Sequence, residues 1–309
     1  EILSGLVGSE MCIRDRPVFH ASVKTEGITA TATQRMIEQG IVPLQGLHDA
    51  AVVIAKWAEH CERIEKDRAD ERSLEGLVPY DAPTHSGILR TLNEAISKEH
   101  LAAFGLKIPV GNVLTFDDFE QLPEIFDSPM VIKAVHNSIP HKTEAGAVAL
   151  NIRNRVEAKE SVARIRDNVT NYAPDVRLEK YLLEPMQAPP LAELIVGVKR
   201  DPLFGMVLVI GAGGILVELI KDAVPLLLPI SRTEVEAALR SLKCFPLLAG
   251  FRGRPPANIG TVVDAIMAIA EYATAHRDRL VELDVNPLMV HADGVIAVDA
   301  LIVEAAPSA

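Results

Sequence analysis

From residue 87 onward the chain alternates between two hydrophobic periods. Apolar residues at i, i+3, i+4 and i+7 predict helices, and shorter runs rich in Val, Ile and Leu predict strands. Helices are expected over Gly87 to Phe104, stopping at Gly105, and over Val156 to Val169, with Ala158, Val162, Ile165 and Val169 on one face. Two more are expected from Ser231 to Lys243 and from Thr261 to His276. Ser231 followed three residues on by Glu234 has the form of a capping box, in which two orphan N–H groups at a helix start are satisfied reciprocally. Strands are expected at Met130–Val135, Ala147–Ile152, Leu178–Glu184, Ala192–Val198, Met206–Ile210 and Ile215–Ile220. The end of the chain reads as a hairpin of Val281–Val290 and Val295–Val303 around Ala292-Asp293-Gly294, because Asp-Gly between alternating runs suits a tight turn.

The first part differs in style. Residues 17–62 predict a helix from Gly27 to Gln39, a short extended run Ile41–Leu44 that Pro43 confines to an edge or an end, and a helix from Leu47 to Cys61. Roughly 40 residues cannot close an α/β core, so this segment is expected to be the last unit of a larger domain. Residues 63–86 are charged and then turn-rich, the composition of a linker. Residues 1–16 share no pattern with the rest of the chain and are expected to be unstructured or extraneous to the fold. The chain begins at Glu1 and not at Met, so it is expected to be a piece of something longer. No internal repeat or low-complexity tract interrupts it.

Composition narrows the function classes. At about 150 residues per domain, 309 residues suggest two domains, and 49% apolar residues supply a core. Lys and Arg number 31 against 42 Asp and Glu, a formal charge of −11. That charge, with no Lys/Arg-rich run and only 4% aromatics, disfavours nucleic acid as a partner. Cys12, Cys61 and Cys244 are far apart and form no CxxC, which fits a reducing cytoplasm better than a disulfide framework. No run reaches the roughly 18 uncharged apolar residues of a spanning helix, and no signal-peptide pattern is present, so no membrane partner is expected.

The terminal hairpin carries the richest chemistry. Strand side chains alternate between faces, which puts Glu282, Asp284 and Asn286 together on one of them. Folding at Asp293-Gly294 sets Asp299 opposite Leu288 and diagonal to Asn286, within reach of a shared ion. Carboxylates with a carboxamide suit Mg²⁺, which keeps waters and substrate phosphates in its remaining positions. A solvated polar face is the ordinary alternative.

Lys133 lies in a strand, Met130 to Val135, that is apolar on both faces. An ammonium there needs a partner, and a nucleotide phosphate is apt; the alternative is a packed stem with its head in water. His141 and Lys142 follow before Gly146, where an imidazole can carry a phosphoryl group, although a loop histidine commonly has no such role. Gly211-Ala212-Gly213-Gly214 is no dinucleotide fingerprint, since no clear helix follows; it is a tight turn or a row of N–H groups lining an anion site. Glu184 and Glu193 sit on or beside strands, as edge carboxylates able to hold a ribose or an adenine amine, or as ordinary surface residues.

In order along the chain, VIKAV, HKTEAGAVAL, LLEPM, AELIVGVKRDPLFG, GAGGILVELIKD, LLAGFRGRP and ELDVNPLMV with VDA resemble the ATP-grasp (β) portion of the NDP-forming acyl-CoA synthetases, the acetate–CoA ligase (ADP-forming) family. The resemblance spans about Gly87 to Val303 and implies an ATP-grasp fold over 87–305, two α+β subdomains clasping a nucleotide. Residues 17–62 resemble the end of the family's flavodoxin-like ligase domain. The resemblance implies reversible conversion of a carboxylic acid, CoA and ATP to acyl-CoA, ADP and phosphate, through an acyl phosphate and a phosphohistidine.

By motif, Lys133 would contact phosphates, Glu184 would lie at the adenine hinge and Glu193 would face the nucleotide, with Gly213 and Gly214 beside it. Asn286 and Asp299 would hold Mg²⁺ with Asp284 nearby, and His141, next to Lys142, would take phosphate. The family's HKSDVGGV reads HKTEAGAV here, with Ala147 in place of the second glycine, which is expected to stiffen the loop. The CoA-binding domain and the principal catalytic-histidine domain are expected upstream or on a partner subunit, and an oligomer is expected. Two other readings stay open: a non-catalytic nucleotide-binding module of a fused protein, and an ATP-grasp ligase forming an amide bond.

Overall fold

The computed structural model describes residues 18–22, 29–39, 41–48, 50–56, 58, 89–139, 142–201, 204–214 and 222–305. Residues 1–16, the expected linker 63–86, the strand expected at 215–220 and His141 lie outside the described residues. The chain divides into two units, Glu1–Val78 and Pro79–Ala309.

In the first unit, strand β1 (Val18–Ser22) lies parallel to β2 (Ile41–Gln45). Helix α1 (Ala30–Glu38) connects them and is capped by the Thr29 hydroxyl, which accepts from the Ala32 N–H. A parallel pair needs such a crossover. Among its described residues Val42, Leu47, Val52, Val53 and Ile54 are exposed.

The second unit contains two sheets. A four-stranded antiparallel sheet has the order β4 (Asn112–Thr115), β7 (Lys180–Pro185), β5 (Ile125–Val135), β6 (Val148–Asn154). Helix α3 (Arg155–Tyr172) buries Ala158, Val162, Ile165 and Val169 against it, the face that the sequence period selects. The larger sheet has the order β10 (Ala223–Leu227), β9 (Gly205–Ala212), β8 (Ala192–Asp201), β11 (Leu280–Val290), β13 (Ala300–Ala305), β3 (Leu89–Leu92), with β12 (Val295–Ala297) also on β11. Its core packs Leu194, Val196, Leu208 and Ile210 with α2 (Glu94–Ala102), α4 (Arg232–Ser241) and α5 (Ile259–Ala275). Each fully buried aliphatic side chain of this kind contributes about 1.5–3 kcal/mol.

Three expectations change. The segment expected to be helical from Gly87 holds a strand first: Leu89–Leu92 pairs with β13, and Asn93 then caps α2 by accepting from the Ile96 N–H. Tertiary pairing with the chain's far end overrides the helical pattern there. The return limb of the hairpin is broken at Val298 and Asp299, between β12 and β13. Its register also differs from expectation. Leu288 pairs with Ala297 and Val285 with Ala300, so Asp299 falls across from Asn286 and not from Leu288. The cause is the turn, where the His291 N–H donates to the Gly294 carbonyl (2.8 Å) and leaves Ala292-Asp293 as a two-residue loop. A shift of two preserves the face, so Asp284, Asn286 and Asp299 still belong together. The capping box is present as expected, with Ser231 and Glu234 bonded reciprocally.

Candidate functional site

Lys133 enters the site because β5 is an interior strand, held between β6 and β7. Its neighbours Ile132 and Ala134 are buried, and its own residue is 7% exposed. The ammonium meets Glu94 Oε1 (2.7 Å), Glu184 Oε1 (2.7 Å) and the Val298 carbonyl (2.5 Å). An ammonium has three N–H groups, so all three are engaged. Glu94 is the first residue of α2, where a carboxylate also meets the positive end of the helix. One turn on, Lys98 contacts Glu94 Oε1 (2.8 Å) and Glu184 Oε2 (2.6 Å). Lys142 reaches Glu94 Oε2 (3.0 Å) and both oxygens of Asp299 (2.9 and 3.0 Å).

Three ammonium groups and three carboxylates therefore form one network across the two sheets. Lys133, Lys142 and Glu184 come from the four-stranded side, and Glu94, Lys98 and Asp299 from the larger one. Taking ions out of water costs several kcal/mol each, and such a group persists only when every member is paired. Burial alone would raise the Glu94 carboxyl, but Lys133, Lys142 and Lys98 outweigh it and bring it down to about 2. Burial pulls the ammonium groups of Lys133 and Lys142 downward. Glu94 leads the opposing charges in both cases, and the net direction is up.

The network borders a cavity of about 210 Å³ lined by Lys142, Thr143, Glu144, Asp284, Asn286 and Asp299. Its far wall is acidic. Asp284 has no hydrogen bond or ion pair among the described residues, and its carboxyl is pushed up to about 6 by burial, then by Asp299 and Glu282. Asp299 is also pushed up, by burial and by Glu94, against the pull of Lys142 and Lys133. β11 bulges against β8 here, with one extra residue between Val285 and Leu288, which places Asn286 at the cavity. Among the described residues no three His, Cys, Asp or Glu side chains gather as a metal site. An ion here would take two carboxylates and the Asn286 carboxamide, a hard-oxygen set that suits a cation keeping several waters. The unrelieved negative charge on Asp284 fits such a cation. A larger cavity of about 690 Å³, lined by Thr115, Arg166 and Leu178 among others, contains none of the expected residues.

The structure thus gathers Lys133, Lys142, Glu184, Asp284, Asn286 and Asp299. Two environments differ from expectation. Glu184 and Glu193 are not on edges, since β7 and β8 are both interior strands. Glu184 is 2% exposed, and its carboxylate meets Lys98 through Oε2 (2.6 Å) and Lys133 through Oε1 (2.7 Å). Glu193 lies further along β8, opposite Met289, and outside the lining of this cavity. Gly213 donates its N–H to the Glu193 carbonyl (2.6 Å), and a Cβ at Gly213 would come within 2.9 Å of the Glu193 backbone. Gly214 has φ of +87°, the conformation that favours glycine. Ala147 is fully buried in the apolar cluster of the small sheet. Sequence reasoning missed Glu94 and Lys98. Their one signal was an i, i+4 acid–base pair, which usually marks a solvated helix face.

Two antiparallel sheets, each with its own helices, joined by a charged network beside an oxygen-lined cavity, define the architecture. The chain belongs to the ATP-grasp domain family, which it matches over residues 85–303. It is 37% identical over 212 residues to the β subunit of ADP-forming acetate–CoA ligase I of Pyrococcus furiosus, covering 68% of this chain and 90% of that subunit. It is 31% identical over 279 residues to the ADP-forming acetate–CoA ligase of Methanocaldococcus jannaschii, covering 87% of this chain and 37% of that longer protein. Among solved structures it is similar to Ca. Korarchaeum cryptofilum acetyl-coenzyme A synthetase 1 in complex with coenzyme A and Mg-AMPPCP, whose phosphohistidine segment points towards the nucleotide-binding site. That match has a TM-score of 0.57 and 27% identity, and covers 70% of this chain and 93% of the other. No helix among the described residues is long and apolar enough to cross a membrane.

Proposed function

We propose that this chain is the nucleotide-binding, phosphoryl-transferring part of an ADP-forming acyl-CoA synthetase. The reaction is the reversible conversion of a carboxylic acid, CoA and ATP to acyl-CoA, ADP and phosphate by way of a phosphohistidine and an acyl phosphate. The observation that carries this reading is the convergence of Lys142 with Asp284, Asn286 and Asp299 around one small polar cavity, with Lys133 tied to Lys142 behind it through Glu94. Phosphoryl transfer asks a protein chiefly for positioning and charge neutralisation, and this is the chemistry those groups supply.

In this reading Lys133 and Lys142 hold phosphate oxygens, and Glu184 fixes the lysines. Glu193, with Gly213 and Gly214 set against it, meets the nucleotide away from the phosphates. Asn286, Asp299 and Asp284 hold Mg²⁺, which when bound neutralises phosphate charge. His141, adjacent to Lys142, takes phosphate near the nucleotide. The CoA-binding and principal catalytic-histidine domains are supplied by an α-type partner, fused in the same polypeptide or on a separate subunit, and residues 17–62 are the end of such a flavodoxin-like domain. A cytoplasmic, oligomeric enzyme belongs to the same proposal.

Calorimetry of the folded chain with ADP and with ATP tests it. The expected result is binding that requires Mg²⁺, together with phosphohistidine formation once the α-type partner is supplied. Folded protein that binds neither nucleotide in the presence of Mg²⁺ overturns the reading.

A further inference from the structure

Glu94 touches all three buried lysines, with Oε1 on Lys98 and Lys133 (2.8 and 2.7 Å) and Oε2 on Lys142 (3.0 Å). No other carboxylate among the described residues contacts all three. Its two sides are unequal. Oε1 accepts a well-formed hydrogen bond from Lys133, whereas Oε2 is buried and lacks one, so its approach to Lys142 is an ion contact without alignment.

We propose that Glu94 is an internal competitor for phosphate. Its carboxylate holds the ammonium groups of Lys98, Lys133 and Lys142, and a nucleotide phosphate gains them only by exchanging with it. This rests on the nucleotide reading above and goes beyond it by naming a residue that sets affinity. The argument is one of charge and donor count. Lys133 has no spare N–H, so a phosphate cannot simply be added to its partners. The network is balanced, with three positive and three negative groups, so adding a phosphate while every carboxylate stays would bury uncompensated negative charge. A carboxylate and a phosphate edge both present two anionic oxygens to N–H donors, so one can replace the other in the same seat. Exchange begins on the Lys142 side, where Oε2 has the weaker hold and which faces the cavity.

The sign of one measurement decides the matter. Calorimetry with ADP and ATP in Mg²⁺ is run on the full chain and on Glu94→Gln, with circular dichroism confirming the fold. The neutral amide removes the competitor, and nucleotide is expected to bind about 5-fold tighter or more. A residue that merely supports the lysines would give the reverse, so unchanged or weaker binding by folded Glu94→Gln, beside clear binding by the unaltered chain, overturns this proposal and leaves the nucleotide reading standing. Failure of the unaltered folded chain to bind overturns both. If Glu94→Gln does not fold, the unaltered protein labelled with ¹³C at glutamate carboxyls serves instead, the Glu94 signal being assigned by its absence from the spectrum of Glu94→Asp. A signal that moves on adding ATP supports exchange, and one that stays in place overturns it.

Discussion

The two walls of the 210 Å³ cavity hold similar residues in opposite conditions. Behind one wall, where Lys142 lines the cavity, Glu94 is buried among three ammonium groups, and its carboxyl is held at about 2. On the other Asp284 is half-buried with Asp299 and Glu282 near it, and its carboxyl sits at about 6. Burial pushes both upward, so the difference lies in the sign of the neighbouring charges. One wall is neutral as it stands and admits an anion only by exchange. The other carries negative charge with nothing opposing it and favours a cation. A ligand that brings phosphates and a divalent ion together answers both walls at once, and neither a bare anion nor an apolar molecule does so.

The largest expected effect comes from titrating the first wall. Glu94 has its folded pKa below the ordinary value of 4.5, so its contribution is present above that value and is lost as pH falls toward 2. The shift corresponds to a loss on the order of 3 kcal/mol. Lys133 is shifted upward from 10.5, so its contribution is complete below that pH and is lost as pH rises through its folded value. These two contributions therefore fall away below and above these limits, while Asp284, raised to about 6, costs stability as pH climbs from its ordinary 3.8 through 6 in the unaltered protein and in Glu94→Gln alike. Urea unfolding across pH 2 to 5 measures the acid limb, which should be clearly shallower in Glu94→Gln. Parallel limbs would mean that Glu94 gains nothing from its lysines and would erase the contrast between the walls.

The second wall should respond in the opposite direction. Asp284→Asn removes a carboxylate that folding places beside other negative charge, so the folded state should gain about 2 kcal/mol at pH 7 after allowance for solvent screening. The same substitution should weaken the Mg²⁺ dependence of nucleotide binding. Thermal unfolding and calorimetry at two Mg²⁺ concentrations read the two effects. A destabilised Asp284→Asn protein would show that Asp284 is paired and that the walls are alike.

How far the sequence could reveal these walls depends on range. The acidic wall is legible because Glu282, Asp284 and Asn286 alternate on one strand and Asp299 returns on the hairpin, all within a few dozen residues. Even there the register slips by two, since Asp293-Gly294 is the stronger turn signal and the structure closes the turn at Ala292-Asp293. Lys133 stands out as a charge in an apolar strand. Its actual partners do not, because Glu94 lies 39 residues away and the Val298 carbonyl 165. A local i, i+4 pair such as Glu94 and Lys98 looks solvated until the sheet opposite supplies Lys133 and Glu184. Leu89–Leu92 reads as helix for the same reason, its partner β13 being at the other end of the chain. Alternation within one element is readable, and pairing between remote elements is not.

The smallest effect concerns the short loop that carries Lys142. Its end is fixed by the backbone, with the Ala147 N–H donating to the Lys142 carbonyl (2.8 Å) and the Ala147 carbonyl accepting from Ala134 (2.9 Å). Gly146 just before it has φ of +58°, and its carbonyl is held by the Asn168 amide (2.9 Å). Ala147 itself is fully buried, so its methyl fills core space that a glycine would leave. Ala147→Gly should lose about 0.8 kcal/mol of methyl burial and a further 0.5–1 kcal/mol of backbone entropy, about 1.5 kcal/mol in all. Both backbone bonds survive the substitution, and Lys142 remains tied to Glu94 and Asp299. Nucleotide affinity should therefore change by less than about 5-fold, under 1 kcal/mol. Urea unfolding gives the first number and calorimetry the second. A large loss of affinity at modest cost in stability would show that loop stiffness, more than the balanced charges around Glu94, sets the position of Lys142.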